Sequence, residues 1–290
     1  MNHLRVGVAA AVFNEQNEIL LSRRGDFGVW NLPTGRLDHG ETLAAAAQRE
    51  VQEETGVICE VQRPLGLYYQ QGRSRLNVLF LAQAVGGALQ TATDESTDNR
   101  FFNAEALPKD FFGDFMARDA LVGVPKLHVL VTPPAVLRRV KRQLAWRYVK
   151  NLLAGRPEPR WPRFEIHASL AVLDRLTGTV LANDLPDGTR SLPGCRVDGA
   201  SAPWEQARAH VRDQYGVYEL RAAELRWIGL YQHVERGVIE FIFHTEIAPA
   251  SRIGERGVAW TLPDSERWLA GYRRALRGPS NRVISLVEPL

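Results

Sequence analysis

Apolar and polar positions fall into short blocks along the chain. Residues 4–13, LRVGVAAAVF, are almost wholly apolar and stop at Asn14, which predicts a buried strand. Residues 18–22, EILLS, follow at hairpin distance. The stretch 25–35, GDFGVWNLPTG, is rich in glycine and proline and predicts a loop. LAAAAQREVQEE, residues 43–54, is a run of strong helix formers that Gly56 stops. VLFLAQAV, residues 78–85, predicts another buried strand, and a short helix is expected over Pro108–Leu121. A longer helix is expected over Arg138–Leu153. There Leu137, Val140, Leu144, Tyr148 and Leu152 recur at spacings of three and four among basic residues. Strands and helices alternate, so an α/β or α+β layered architecture is expected.

The pattern is written twice. Residues 31–57 and 191–217 align without a gap at an offset of 160, with eight identities in 27 positions. About two would arise by chance. Upstream, AAVFNE at 10–15 faces LAVLDR at 170–175. Downstream the offset drifts to 163, where LNVLF at 76–80 faces IEFIF at 239–243. A duplicated unit is the expectation.

Length agrees: 290 residues is roughly two domains. Apolar residues make up 45% and charged residues 24%, which excludes a disordered chain or a rod. No apolar run is long enough for a membrane span. The first fifteen residues predict no secretory signal. Two cysteines, Cys59 and Cys195, cannot build a disulfide framework, so a reducing, cytoplasmic setting is expected. The net charge of +3 conceals a division: residues 1–125 balance at −5, 126–163 at +9 and 164–290 at −1. The expected organisation is therefore two lobes, 1–125 and 164–290, joined by a basic helical linker over 126–163.

The sharpest chemical signal is Arg49-Glu50-Val51-Gln52-Glu53-Glu54. On a helix Glu50, Glu53 and Glu54 share one face. Nothing else on that face supplies an offsetting charge, and Arg49 starts about 100° away. A hard divalent cation with oxygen ligands, Mg²⁺ or Mn²⁺, would resolve the repulsion.

Gly35, Glu41, Arg49-Glu50-Val51, Glu53-Glu54 and Gly56-Val57 together fit the 23-residue signature of the Nudix hydrolases, which this sequence resembles. The resemblance implies an α/β/α sandwich with a mixed sheet. It also implies Mg²⁺-dependent hydrolysis of a nucleoside diphosphate linked to another moiety. By that resemblance Glu50, Glu53 and Glu54 hold metal, with the Gly35 carbonyl as a further ligand, and Arg49 pairs with Glu41. Glu95 in the acidic loop DESTDNRFF is the candidate general base, with Asp98 second and Glu53 the alternative. Trp30, Tyr68 and Tyr69 are candidates to stack on a base. Arg36, with Arg23, Arg24, Arg73 and Arg75, is a candidate for phosphate.

The second copy lacks this chemistry. Gly35 becomes Cys195, Glu41 Ser201, Arg49 Ala209, Glu50 His210, Glu53 Asp213 and Glu54 Gln214. It resembles a degenerate Nudix domain, giving two Nudix-type sandwiches of which one is catalytic. The basic segment is read as a packing linker, with a nucleic-acid or anionic-membrane contact and a phosphate funnel as alternatives. The expected function is pyrophosphohydrolysis of a nucleotide-type small molecule. The competing reading is a nucleotide-sensing or nucleic-acid-binding regulator.

Overall fold

The computed structural model describes residues 3–25, 28–131, 161–174, 179–184, 190–218, 220–221, 224–247, 258–260 and 284–287, with isolated positions between 138 and 155. The first unit runs β1 (Arg5–Phe13), β2 (Ile19–Arg24), β3 (Trp30–Asn31), β4 (Thr34–Arg36), α1 (Leu43–Thr55), β5 (Val57–Gln71), β6 (Arg75–Gly87), β7 (Ser96–Phe102), α2 (Asp114–Val122) and β8 (Lys126–Val131). Its sheet has the order β3-β2-β1-β6-β5-β8, with β4 on β1 and β7 on β2. The sheet is mixed: β1 pairs with β6, and β5 with β8, in parallel.

β1 is apolar on both faces because both are covered. Val6, Val8, Ala10 and Val12 join Leu43, Ala46, Ala47 and Val51 of α1 in one core. Ala9, Ala11 and Phe13 join Met116, Ala117 and Ala120 of α2 in another.

The second unit runs β9 (Glu165–Asp174), β10 (Val180–Asp184), β11 (Arg190–Ser191), β12 (Gly194–Arg196), α3 (Pro203–Tyr215), β13 (Arg226–His233), β14 (Val238–Ile247), β15 (Val258–Trp260) and β16 (Ile284–Val287). Its sheet order, β11-β10-β9-β14-β13-β16 with β12 on β9 and β15 on β10, repeats the first strand for strand. The core under α1 continues into this unit through Ile166, Leu170, Trp204, Val211 and Phe241. Contacts between the units are reciprocal. The His39 ring lies 5.0 Å from that of Phe164, and Gly199 backs onto Leu4. At the offset of 160 these are the same pair read in both directions, as across a twofold axis.

Several elements depart from the sequence pattern. β3 and β4 form inside the expected loop 25–35, where Thr34–Arg36 pairs with Gly7–Ala9. α2 starts at Asp114, not Pro108, because residues 108–113 turn to bridge Trp30 and Phe111. β5 is long and mostly unannounced: register shifts at 58/59, 61/63 and 64/66 break its alternation and accommodate Pro64. Lys126–Val131, expected at the head of the linker, is β8 and pairs with β5. The helix expected over 138–153 lies largely outside the described residues.

Candidate active site

The site is built on α1. Thr42 caps its start by accepting from the Ala45 N–H at 3.0 Å. Gly56 closes it at φ 74°, donating to the Gln52 carbonyl at 2.8 Å. The free N–H of Leu43 finds the Gln232 side-chain oxygen on β13 at 3.0 Å, so the second unit completes this cap.

Glu50 and Glu54, one turn apart, are buried and grip β4 from below. Glu50 accepts from the Arg36 N–H and Glu54 from the Thr34 N–H, both at 3.3 Å. Gly35 sits between those two donors. A Cβ there would fall 1.7 Å from the Glu50 carboxyl carbon, so only glycine fits.

The expectation that the acidic face has no offsetting charge is wrong. Arg49 folds back along the helix, donating to Glu50 at 2.8 Å and Glu53 at 3.1 Å. It also meets both oxygens of Glu41, at 2.8 and 3.1 Å, and the Arg36 carbonyl at 3.1 Å. Its reach exceeds what the Cα–Cβ direction suggests. These carboxylates, Glu41 first, raise its pKa above the ordinary value. Glu53 stays largely exposed.

One guanidinium does not satisfy the buried pair. Burial pushes Glu54 up to about 8, with Arg24 opposing and Glu50 adding to the rise. Burial also raises Glu50, against the pull of Arg49. Two carboxylates whose burial outweighs the positive charge beside them, next to a glycine backbone, form an oxygen-only donor set that fits a hard divalent cation. Among the described residues no three His, Cys, Asp or Glu side chains stand close enough together to ligate one ion, and Glu53 is engaged by Arg49 instead.

Glu95 is exposed and lies near enough to Glu54 to contribute to its raised pKa. Its loop is tied to the end of α1 by donors that sequence reading missed. Asn99 Nδ2, Ser96 Oγ and Thr93 Oγ1 converge on the Glu54 carbonyl at 2.9, 3.0 and 3.3 Å. Small polar residues in an acidic loop carry no signal of that convergence. Asp98 lies within β7 and pairs with Arg100 at 2.6 Å.

The candidate base-stacking residues are placed otherwise. Tyr69 is buried and donates to the Gly199 carbonyl at 2.8 Å, making it an inter-unit contact. Tyr68 is buried, stacks on His128 at 5.0 Å and donates to Asp119 at 2.7 Å. Trp30 packs edge-on against Phe102 in the core beneath α2. Their aromatic surface serves packing. Arg36 pairs with Asp38 at 2.8 Å.

The NUDIX domain family matches residues 3–118. The 8-oxo-dGDP phosphatase NUDT18 of Mus musculus is 40% identical over 95 residues, 32% of this chain and 29% of the mouse protein. The chain thus spans under a third of that relative's length. The "Putative 8-oxo-dGTP diphosphatase" of Bacillus subtilis (strain 168) is 33% identical over 102 residues, 35% of this chain and 68% of that protein. The ADP-ribose pyrophosphatase of Methanocaldococcus jannaschii is 34% identical over 105 residues, 34% of this chain and 62% of that protein. With two thirds of the Bacillus protein covered at this identity, and with the glutamates of α1 set around Gly35, the chain belongs to the Nudix family.

Proposed function

We propose that this chain is a Mg²⁺-dependent pyrophosphohydrolase that cleaves a nucleoside diphosphate linked to another moiety. The observation that carries the reading is the pair of buried, under-compensated carboxylates, Glu50 and Glu54, locked around Gly35. The relatives named above act on 8-oxo-dGDP, 8-oxo-dGTP and ADP-ribose by their names, and the shared element is a phosphoanhydride beside a nucleoside.

Glu50, Glu54 and the Gly35 carbonyl would hold the cation, with Glu53 joining as it leaves Arg49. Bound there, the cation neutralises phosphate oxygens and acidifies water. Arg49 and Glu41 keep the loop against α1. Glu95, exposed on a loop pinned to the Glu54 carbonyl, takes the proton of the attacking water, with Glu53 the alternative acceptor. The second unit is read as a degenerate copy that kept the topology and lost the glutamates. It serves as a built-in dimer partner that caps α1 through Gln232.

Glu54→Gln tests the reading. Mg²⁺-dependent turnover of ADP-ribose or 8-oxo-dGTP is expected to fall roughly a hundredfold or more, with the melting temperature kept. Full activity in this variant would refute the metal assignment.

A further inference from the structure

Arg5 and Arg75 are opposed residues at the start of β1 and β6, and Arg73 lies in the hairpin just before β6. Arg5 and Arg75 both stand over the ring of Trp161, at 5.6 and 4.9 Å from its centroid. Arg5 gives one N–H to the Arg73 carbonyl at 2.7 Å, and Arg75 gives its Nε–H to Asn77 at 3.0 Å. Among the described residues no carboxylate pairs with any of the three, although all are partly buried. Among the described residues most of their donors therefore have no protein acceptor. Three guanidinium groups are held together against their own repulsion.

The cluster adjoins the carboxylate site. A Cβ placed on Gly7 would lie 2.8 Å from the Gly35 carbonyl oxygen and 3.0 Å from Arg75 Nη2, so both atoms approach β1 at Gly7 because it has no side chain. Burial first, then the charges of Arg73, Arg24 and Arg5, push Arg75 down to about 9, with Glu50 opposing. The fold does not require these arginines. At the equivalent strand positions of the second unit, Glu165 opposes Val238 and Glu240 stands where Asn77 does, and the pairing is the same. The arginines accompany the glutamates of α1, not the topology.

We infer that Arg5, Arg73 and Arg75, floored by Trp161, form a subsite for a phosphate group, one step along the substrate from the group held at Glu50 and Glu54. This rests on the proposed hydrolysis and adds to it a preference for substrates with a further phosphate beyond the scissile bond. Bidentate donors suit phosphate oxygens, and two adjacent guanidinium groups suit a dianion. Trp161 comes from the segment that leads into the second unit, so the junction between units supplies the floor.

The test is calorimetric titration of the full chain with inorganic pyrophosphate, in EDTA and low salt, where metal plays no part. Wild type is expected to bind, and Arg73→Gln with Arg75→Gln to weaken binding at least tenfold. Arg73→Gln alone, which removes no side-chain hydrogen bond to the described residues, covers the case in which the double variant does not fold, and it too should weaken binding. The salt dependence should flatten in step. Unchanged pyrophosphate affinity in the arginine variants would overturn the subsite and leave the hydrolase reading standing. Loss of affinity in a chain that hydrolyses nothing would sustain the subsite and remove that reading.

Discussion

Buried ionisable groups tell apart what each unit is built for. In the first unit they are carboxylates with their oxygens turned to a glycine loop. Among the described residues of the second the most buried ionisable group is His244, fully enclosed on β14, with Nδ1 taking a hydrogen bond from Arg226 at 3.0 Å. Nε2 must then carry the proton, and it has no hydrogen-bond partner among the described residues. Burial first, and Arg226 second, push this imidazole down to about 4. The unfolded chain therefore binds the proton more readily than the folded chain between about pH 6.5 and 4. Stability from this residue is complete above pH 6.5 and drains away as the pH falls toward 4, by about 3 kcal/mol. His244→Asn keeps an acceptor for Arg226 and removes the titration. Urea melts at pH 7 and pH 4.5 should show a smaller acid loss in the variant by about 2 kcal/mol, and an equal loss in both would exclude His244 as the source.

At the scale of elements, α1 and β7 with the loop before it behave as one device. The C-terminal carbonyl of α1 at Glu54 receives three side chains from the loop that carries Glu95 and from the start of β7. Asn99 also bonds the Gln90 carbonyl at 2.9 Å, so it ties that loop to both neighbours. Asn99→Leu would leave buried carbonyls unpaired and should cost about 2 kcal/mol. Amides 93–98 should then exchange with deuterium faster, while those of β1 keep their protection. Protection unchanged across 93–98 would mean the loop is held by backbone alone. Such ties explain the limits of the sequence as a guide. α1 was legible because the run of helix formers and the Gly56 stop agree, and β1 because it is buried on both faces. The three donors on Glu54 were not, since each is an ordinary surface-type residue until the chain brings residues 40 positions apart together. Tyr68 and Tyr69 misled for the opposite reason: exposed aromatics and packed aromatics look alike in sequence. Arg49 was misjudged because its side chain, not its backbone position, decides which carboxylates it meets.

At the scale of the whole molecule, the two units share one core and reciprocal contacts, and the more consequential of these runs through the catalytic helix. Gln232 is buried on β13 and its side-chain oxygen takes the N–H of Leu43, a donor that α1 cannot satisfy itself. At the offset of 163 its counterpart in the first unit is Tyr69, which reaches the Gly199 carbonyl ahead of α3. Each unit thus uses the same strand position to hold the segment before the other's helix. A core continuous across both sheets then predicts that neither unit unfolds alone. Gln232→Leu keeps the volume, leaves the Leu43 N–H without an acceptor, and should cost about 1–3 kcal/mol. Native-state hydrogen exchange is the measurement that tells a shared loss from a local one. If the units are coupled, amides of β1 at 5–13 and of β9 at 165–174 should lose protection by the same free energy, although the substitution lies in neither strand. Loss confined to 165–174 would show that the second unit is only an attachment, and that the cap on α1 contributes nothing to the fold around Glu50 and Glu54.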